Sequence, residues 1–173
     1  VPVVVVSDST PLIGLAKGEI FEALQRLYGQ ILIPPEVYTE VAEEGEGRPG
    51  GAELAAARDR WILVKRPGVV IIKPGEPGLD QELATKLPEQ EDRAVVRLAV
   101  KERAGLLLAD DRRIRTFASS REIVCLTTVD IVVHAVRAGI CTSAKPILDR
   151  MTEQAFGISD DVYRRALDQL GEQ

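Results

Sequence analysis

The chain has 173 residues, with 22 Lys and Arg against 27 Asp and Glu, for a formal net charge of -5. That length suits one domain with a core of its own, and the acidic balance excludes a protein held on nucleic acid by bulk positive charge alone. Hydrophobic residues at 45% and charged residues at 28% exclude a disordered chain.

Val3 to Val6 form a β-branched run of the kind buried on both faces of a parallel sheet. The run enters Ser7-Asp8-Ser9-Thr10-Pro11 without a basic flank, so it reads as a strand and not as a signal peptide. A helix is expected from about Leu12, broken near Gly18. Phe21, Leu24 and Leu27 or Tyr28 give the next apolar face, which ends at Gly29. Ile31 to Ile33 reads as a second strand, and Pro35 is placed to open a helix carrying Val37, Glu40 and Val41. Glu43 to Gly50 reads as a mobile surface loop and Ala52 to Arg60 as a helix. Trp61 to Val64 and Val69 to Ile72 read as strands, Lys73 to Asp80 as a turn-rich linker, and Gln81 to Lys86 as a short helix.

The second half has a clearer period. Val95, Leu98 and Ala99 share a helical face that ends at Gly105, and Leu106 to Leu108 is a buried strand running into Asp110-Asp111. A basic helix follows, with Arg112, Arg113 and Arg115 beside Ile114 and Phe117. Val124 to Leu126 is a further strand, ending at Thr127-Thr128, and Ile131, Ala135 and Ala138 line the next helix. Leu148 and Met151 belong to another, and Tyr163, Ala166, Leu167 and Leu170 fit a closing amphipathic helix. Short apolar strands alternating with helices imply an α/β fold, layered α/β/α around a mainly parallel sheet.

Ligands of such a sheet bind beyond the carboxyl ends of its strands. Asp8 follows the first strand, Asp110 and Asp111 follow Leu106 to Leu108, Asp92 begins the helix before that strand, and Glu40 lies in the helix after the second strand. These acids could converge on one rim, where their mutual repulsion calls for counter-charge. Mg²⁺ or Mn²⁺ would supply it through hard oxygen ligands, and the chemistry that fits is metal-assisted phosphodiester hydrolysis. Ser9 and Thr10 could position Asp8 or an ordered water. Each acid has a plainer role open to it. Asp92 and Asp111 could cap helices, Asp110 and Glu40 could be solvated surface acids, and Asp8 could form an Asx turn. Asp130, just past Thr128, is a further candidate with a helix cap as its plainer role.

Arg112, Arg113 and Arg115 could contact phosphates of a polynucleotide or form ion pairs within the chain. The two cysteines, Cys125 and Cys141, build no disulfide framework and point to a reducing compartment; the single histidine, His134, excludes a histidine-rich zinc site. No G-x-x-x-x-G-K-[ST] loop, G-x-G-x-x-G or G-x-S-x-G is present. No apolar run approaches the roughly 18 residues of a membrane span. A phospho-acceptor domain also places acids at strand ends, but here the acid pair comes late in the chain and Lys145 sits in an apparent turn.

The opening VVSDSTPLIGLAKGEIFEALQRLYGQILIPPEVYTEV, the middle EDRAVVRLAVKERAGLLLADDRRIR and the ending AVRAGICTSAKPILDRMTEQAFGISDDVYRRALDQLGE resemble PIN-domain proteins, and more narrowly the prokaryotic subgroup related to VapC toxins. The resemblance implies a single PIN-like domain over 1–173, with 140–173 a C-terminal helical extension. It implies a cytoplasmic ribonuclease using Mg²⁺ or Mn²⁺, with Asp8, Glu40, Asp92 and Asp111 as catalytic and metal-holding acids. Asp110 could take or share the last role, Asp130 could add to the set, and Ser9, Thr10 and Thr128 would support it. The subgroup often carries Gly-Glu where this chain has Glu91-Asp92, so the acid keeps its charge on a shorter arm. RNA is the implied substrate. A small antitoxin and a second copy of the chain are the implied partners. The surplus of apolar positions at Leu12, Ile13, Leu15, Phe21 and Leu24 also suggests a partner surface. The alternative is a PIN-fold binding or regulatory protein with little catalysis.

Overall fold

The computed structural model describes residues 2–68 and 78–173. The strand expected over 69–72 and most of the linker expected over 73–80 lie outside these residues. Five strands, β1 (Val5–Ser7), β2 (Ile31–Ile33), β3 (Ile62–Val64), β4 (Leu106–Leu108) and β5 (Val124–Leu126), form one sheet in the order β3-β2-β1-β4-β5. Every pairing among them is parallel. Val5, Val6 and Ser7 sit opposite Leu106, Leu107 and Leu108. β1 and β2 are buried at every position, as strands covered on both faces must be. β1 starts later than the apolar run suggests, because pairing begins at Val5 and leaves Val3 61% exposed.

The chain runs from β1 outward through β2 to β3, then returns to the other side of β1 for β4 and β5. The strand order therefore reverses between β1 and β4. In open parallel sheets this switch point opens a crevice at the carboxyl ends of the strands, because the connections on either side leave in opposite directions.

Helices flank the sheet in two groups. α1 (Ser9–Lys17), α2 (Ala23–Tyr28), α8 (Thr128–Arg137), α9 (Lys145–Glu153) and α10 (Asp160–Leu170) pack around α8, while α5 (Leu79–Lys86), α6 (Gln90–Lys101) and α7 (Arg112–Ser120) pack around α6. α3 (Pro35–Tyr38) continues as a π-helical segment over Thr39–Glu43, and α4 (Gly51–Ala57) packs on that segment. α1 begins at Ser9 and not near Leu12. Pro11 falls in its first turn, where a missing N–H leaves no bond unmade. α4 ends at Ala57 and not at Arg60, because Asp59 takes a positive φ of 59° on the way into β3. α5 begins at Leu79 and not at Gln81.

Leu12, Leu15 and Leu24 are 0% exposed and Phe21 is 4% exposed. The apolar surplus expected to meet a partner is spent inside the chain, and of that set only Ile13 remains half-buried. Among the described residues, no helix is long and apolar enough to cross a membrane.

The last helices are tied to the first. Arg150 donates to the Gly18 carbonyl from Nε (3.2 Å) and Nη2 (3.0 Å), and Gln154 donates to the Lys17 carbonyl (3.1 Å). These bonds satisfy carbonyls that the end of α1 leaves open. Glu172 accepts from the N–H groups of Ala144 (2.8 Å) and Lys145 (3.0 Å) and from Ser143 Oγ (2.7 Å), closing the start of α9.

Gly14 is where these parts meet. A Cβ there would lie 2.7 Å from Phe156 Cε2 and 2.7 Å from Thr128 Cγ2. Gly14→Ala should cost about 1–3 kcal/mol by overpacking and lower the melting temperature by several degrees. Gly157→Ala, whose Cβ meets no atom within 4 Å, should leave it unchanged. Calorimetry of the two variants against the parent checks both; equal melting temperatures for Gly14→Ala and the parent would contradict the packing.

Candidate active site

Asp8 leaves β1 at the switch point. Its N–H donates to the Leu108 carbonyl at the end of β4 (2.9 Å), so the backbone is pinned between the two central strands. Asp8 is the residue before α1, in extended conformation, yet its side chain makes no capping bond to that helix. The carboxyl group is 5% exposed, counting the whole residue, and its pKa rises from 3.8 to about 7. Burial is the main cause, the Ser9 N–H opposes it, and the charges of Asp92, Glu40 and Asp110 raise it further. Three acids from three other parts of the chain are therefore close enough to act on Asp8.

Asp92 projects from the first turn of α6. Its pKa is also raised, by burial and by Asp111, against a lowering pull from Arg113, whose guanidinium stands 3.8 Å away. Asp110 is held by Thr128, which donates from its N–H to Oδ1 (3.1 Å) and from its hydroxyl to Oδ2. Burial raises the Asp110 pKa; the Thr128 bonds offset part of this and the charge of Asp130 adds to it. Thr128 is completely buried, which fixes the direction of this pair.

Asp111 points elsewhere. It caps α7, its Oδ1 accepting from the N–H of Arg113 (2.7 Å) and more weakly from that of Ile114 (3.4 Å). Its Oδ2 also meets the Arg113 guanidinium at 3.3 Å. Burial works to raise its pKa, but these bonds prevail and hold it below the usual value. Glu40 lies exposed on the π-helical segment, and Asp130 sits in the first turn of α8. Asp130 Oδ2 accepts from the Thr127 N–H (2.8 Å) and hydroxyl (2.8 Å), so its capping role is made.

Ser9 is buried and Thr10 half-buried in the first turn of α1. Arg113 is committed to Asp111 and Asp92, whereas Arg112 and Arg115 are exposed and form no ion pair among the described residues. His134 lies a turn beyond Asp130 on α8. Cys125 and Cys141 are both free, and Cys125 donates weakly to the Ala109 carbonyl (3.8 Å).

Among the described residues, no three Asp, Glu, His or Cys side chains are gathered closely enough to hold a metal ion as they stand. The donor chemistry nonetheless fits a hard divalent cation. Asp8 is a buried acid made harder to ionise by other acids, and a cation there would offset both burdens.

A cleft of about 430 Å³ opens beside Asp110 and Asp130, lined also by Arg115, Phe156, Ile158 and Arg165. Sequence reading does not flag the last three, since only tertiary packing brings them here. The available signal was Phe156, an aromatic residue in a turn between two amphipathic helices.

A family model described as DUF3368: PIN domain matches residues 4–172. No curated protein and no solved structure gives a significant match.

The raised Asp8 pKa has a stability consequence. Unfolded, Asp8 titrates near 3.8; folded, it holds its proton to about pH 7. The folded state thus loses stability as pH rises through that window, by an amount on the order of 4 kcal/mol above it. Asp8→Asn should be more stable than the parent at pH 7.5, and the gap should close toward pH 4. Urea denaturation in EDTA at both pH values measures it; a constant gap would refute the buried charge.

Proposed function

The chain belongs to the DUF3368 family of PIN domains, whose fold is a nuclease fold, and from that premise we propose that it is a divalent-metal-dependent endoribonuclease. The observation that carries this reading is Asp8, buried at the β1–β4 switch point within reach of the charges of Asp92, Glu40 and Asp110. Such an acid is costly to keep and is the kind of perturbed group that marks functional sites.

In this reading Asp8, Glu40 and Asp92 hold Mg²⁺ or Mn²⁺, joined by Asp110 or Asp111. When bound there, such an ion would supply charge stabilisation for the phosphate and a more acidic water. Thr128 aims Asp110, and Asp130 lies behind it. Arg112 and Arg115 stand ready for backbone phosphates, which position a strand without reading its sequence. Arg113 instead balances the acids. The VapC-like resemblance extends the proposal to a toxin with a small antitoxin partner, acting as a homodimer in the cytoplasm.

A second reading is a PIN-fold binding protein with weak catalysis. What favours it is that Asp111 is already neutralised by Arg113 and that, among the described residues, the acids are not gathered into a ready metal site.

Cleavage of a mixed-sequence single-stranded RNA in Mg²⁺, Mn²⁺ or EDTA tests the first reading. The parent should cleave only with metal, and Asp8→Asn should lose activity by at least about a thousandfold while remaining folded. Activity in EDTA, or a folded Asp8→Asn that cleaves like the parent, would remove the metal mechanism. No cleavage and no calorimetric metal binding would leave the binding-protein reading.

The paired acids give a separate test. Asp110→Asn should cost at least as much activity as Asp111→Asn, because Asp110 is the one whose charge reaches Asp8. The reverse order, measured as kcat on the same RNA, would place Asp111 on the ion. Asp92→Glu should retain activity if reach alone separates this chain from the Gly-Glu pattern.

A further inference from the structure

The cleft between α8 and α10 begins at acids of the proposed ion site and extends beyond them. Asp110 and Asp130 form part of its wall, Arg115 and Arg165 another part, and Phe156 and Ile158 an apolar surface between helices. We propose that this cleft binds one unpaired nucleotide of an RNA strand next to the bond being cleaved, with the base against Phe156 and its phosphate between Arg115 and Arg165. The proposal rests on the nuclease reading and names a substrate subsite within it.

Size, charge and rigidity each support this occupant. At about 430 Å³ the cleft lies in the lower part of the range for small-ligand pockets, and suits a single nucleotide better than a duplex. Its two guanidinium groups are available to a phosphate. Arg115 forms no ion pair among the described residues. Among the described residues Arg165 pairs only with Asp161, one turn away on α10 (2.9 Å), and both side chains are mostly exposed. Such a pair contributes little and exchanges readily for a phosphate.

Phe156 and Ile158 are half-buried, so each offers apolar surface to the cleft. The Phe156 ring is braced rather than loose, because it fills the space that a Cβ on Gly14 would take. A fixed aromatic face beside cations is the arrangement by which proteins hold single strands, since every base can stack on it. A duplex keeps its bases stacked on each other and has none to offer.

The test uses the full chain in EDTA, so that binding is read without cleavage. The probe is a short fluorescent oligouridylate, single-stranded or annealed to its complement, followed by anisotropy at low salt. The parent should bind the single strand at least tenfold more tightly than the duplex. Arg165→Ala, Gly157→Trp and Phe156→Leu should each weaken single-strand binding about tenfold. Gly157 tolerates the added side chain because its Cβ position is open. An oligouridylate carrying 5-iodouridine should photocrosslink to Phe156.

Equal binding by the parent and all three weakening variants, crosslinks confined to α7, no single-strand binding by the parent, or equal affinity for duplex would each overturn the subsite. The failures are separable. If the cleft variants bind and cleave normally, the nuclease stands and the subsite falls. If they lose binding while Asp8→Asn still cleaves, the subsite stands and the metal site falls.

Discussion

The structure turns on one expensive placement, a carboxylate with 5% of its residue surface exposed at the end of the central strand. The strand that carries it is apolar because it lies inside the sheet, and that same burial strips water from the acid that follows. The Asp8 N–H is bonded across to β4, so the backbone that carries the group is fixed between the two central strands. A penalty on the order of 4 kcal/mol is a large share of the 5–15 kcal/mol that typically holds a domain folded. Nothing in the packing of β1 requires a charge there. A site that keeps such a group against its own stability is one where local folding logic has yielded to chemistry.

A second constraint links that acid to the far end of the chain. Thr128 binds Asp110 through both its N–H and its hydroxyl, while its methyl group lies against the position of Gly14. Phe156 presses on the same spot from the turn before α10. Small size at Gly14 thus allows α1, the start of α8 and the C-terminal turn to touch. The orientation of Asp110 depends on Thr128, and Thr128 depends on this contact. The closing helices are therefore part of what positions the acid rim, tied down further by Arg150 on Gly18 and Glu172 on the start of α9.

Much of this was legible in the residues. Apolar triplets at 31–33, 106–108 and 124–126 fall on strands at those positions; burial on both faces accounts for the run at 31–33, whereas the edge strand β5 leaves Val124 59% exposed. Boundaries set by pairing were less legible. Val3 reads like Val5 but has no strand partner among the described residues, and α1 starts ahead of Pro11 because proline suits a first turn. The acids after the strands were recognisable as a group. What Asp110 and Asp111 each do was not, since adjacent residues diverge according to what waits for them. For Asp110 that is Thr128, 18 residues on, and for Asp111 it is the start of its own helix. Phe156 and Arg165 meet Asp110 only through the packing of α10 on α8, which no local pattern records.

Charge compensation across the rim is uneven, and this unevenness decides where a cation would go. Arg113 contacts Asp111 at 3.3 Å and stands 3.8 Å from Asp92, so one end of the acidic row already has its counter-ion. Among the described residues, Asp8 and Asp110 form no ion pair with an arginine or lysine; the Ser9 N–H moderates Asp8, and Thr128 together with the more distant charge of Arg115 moderates Asp110. Burial is the larger cause of the raised pKa values of Asp8 and Asp110, while the bonds to Arg113 and Ile114 hold that of Asp111 down. A divalent ion gains most where repulsion is unrelieved and gains least where it must displace a guanidinium. In the proposed metal-dependent reading, a cation would therefore sit on the Asp8–Asp110 side, Asp92 would be shared between it and Arg113, and Asp111 anchors the helix that carries the remaining arginines.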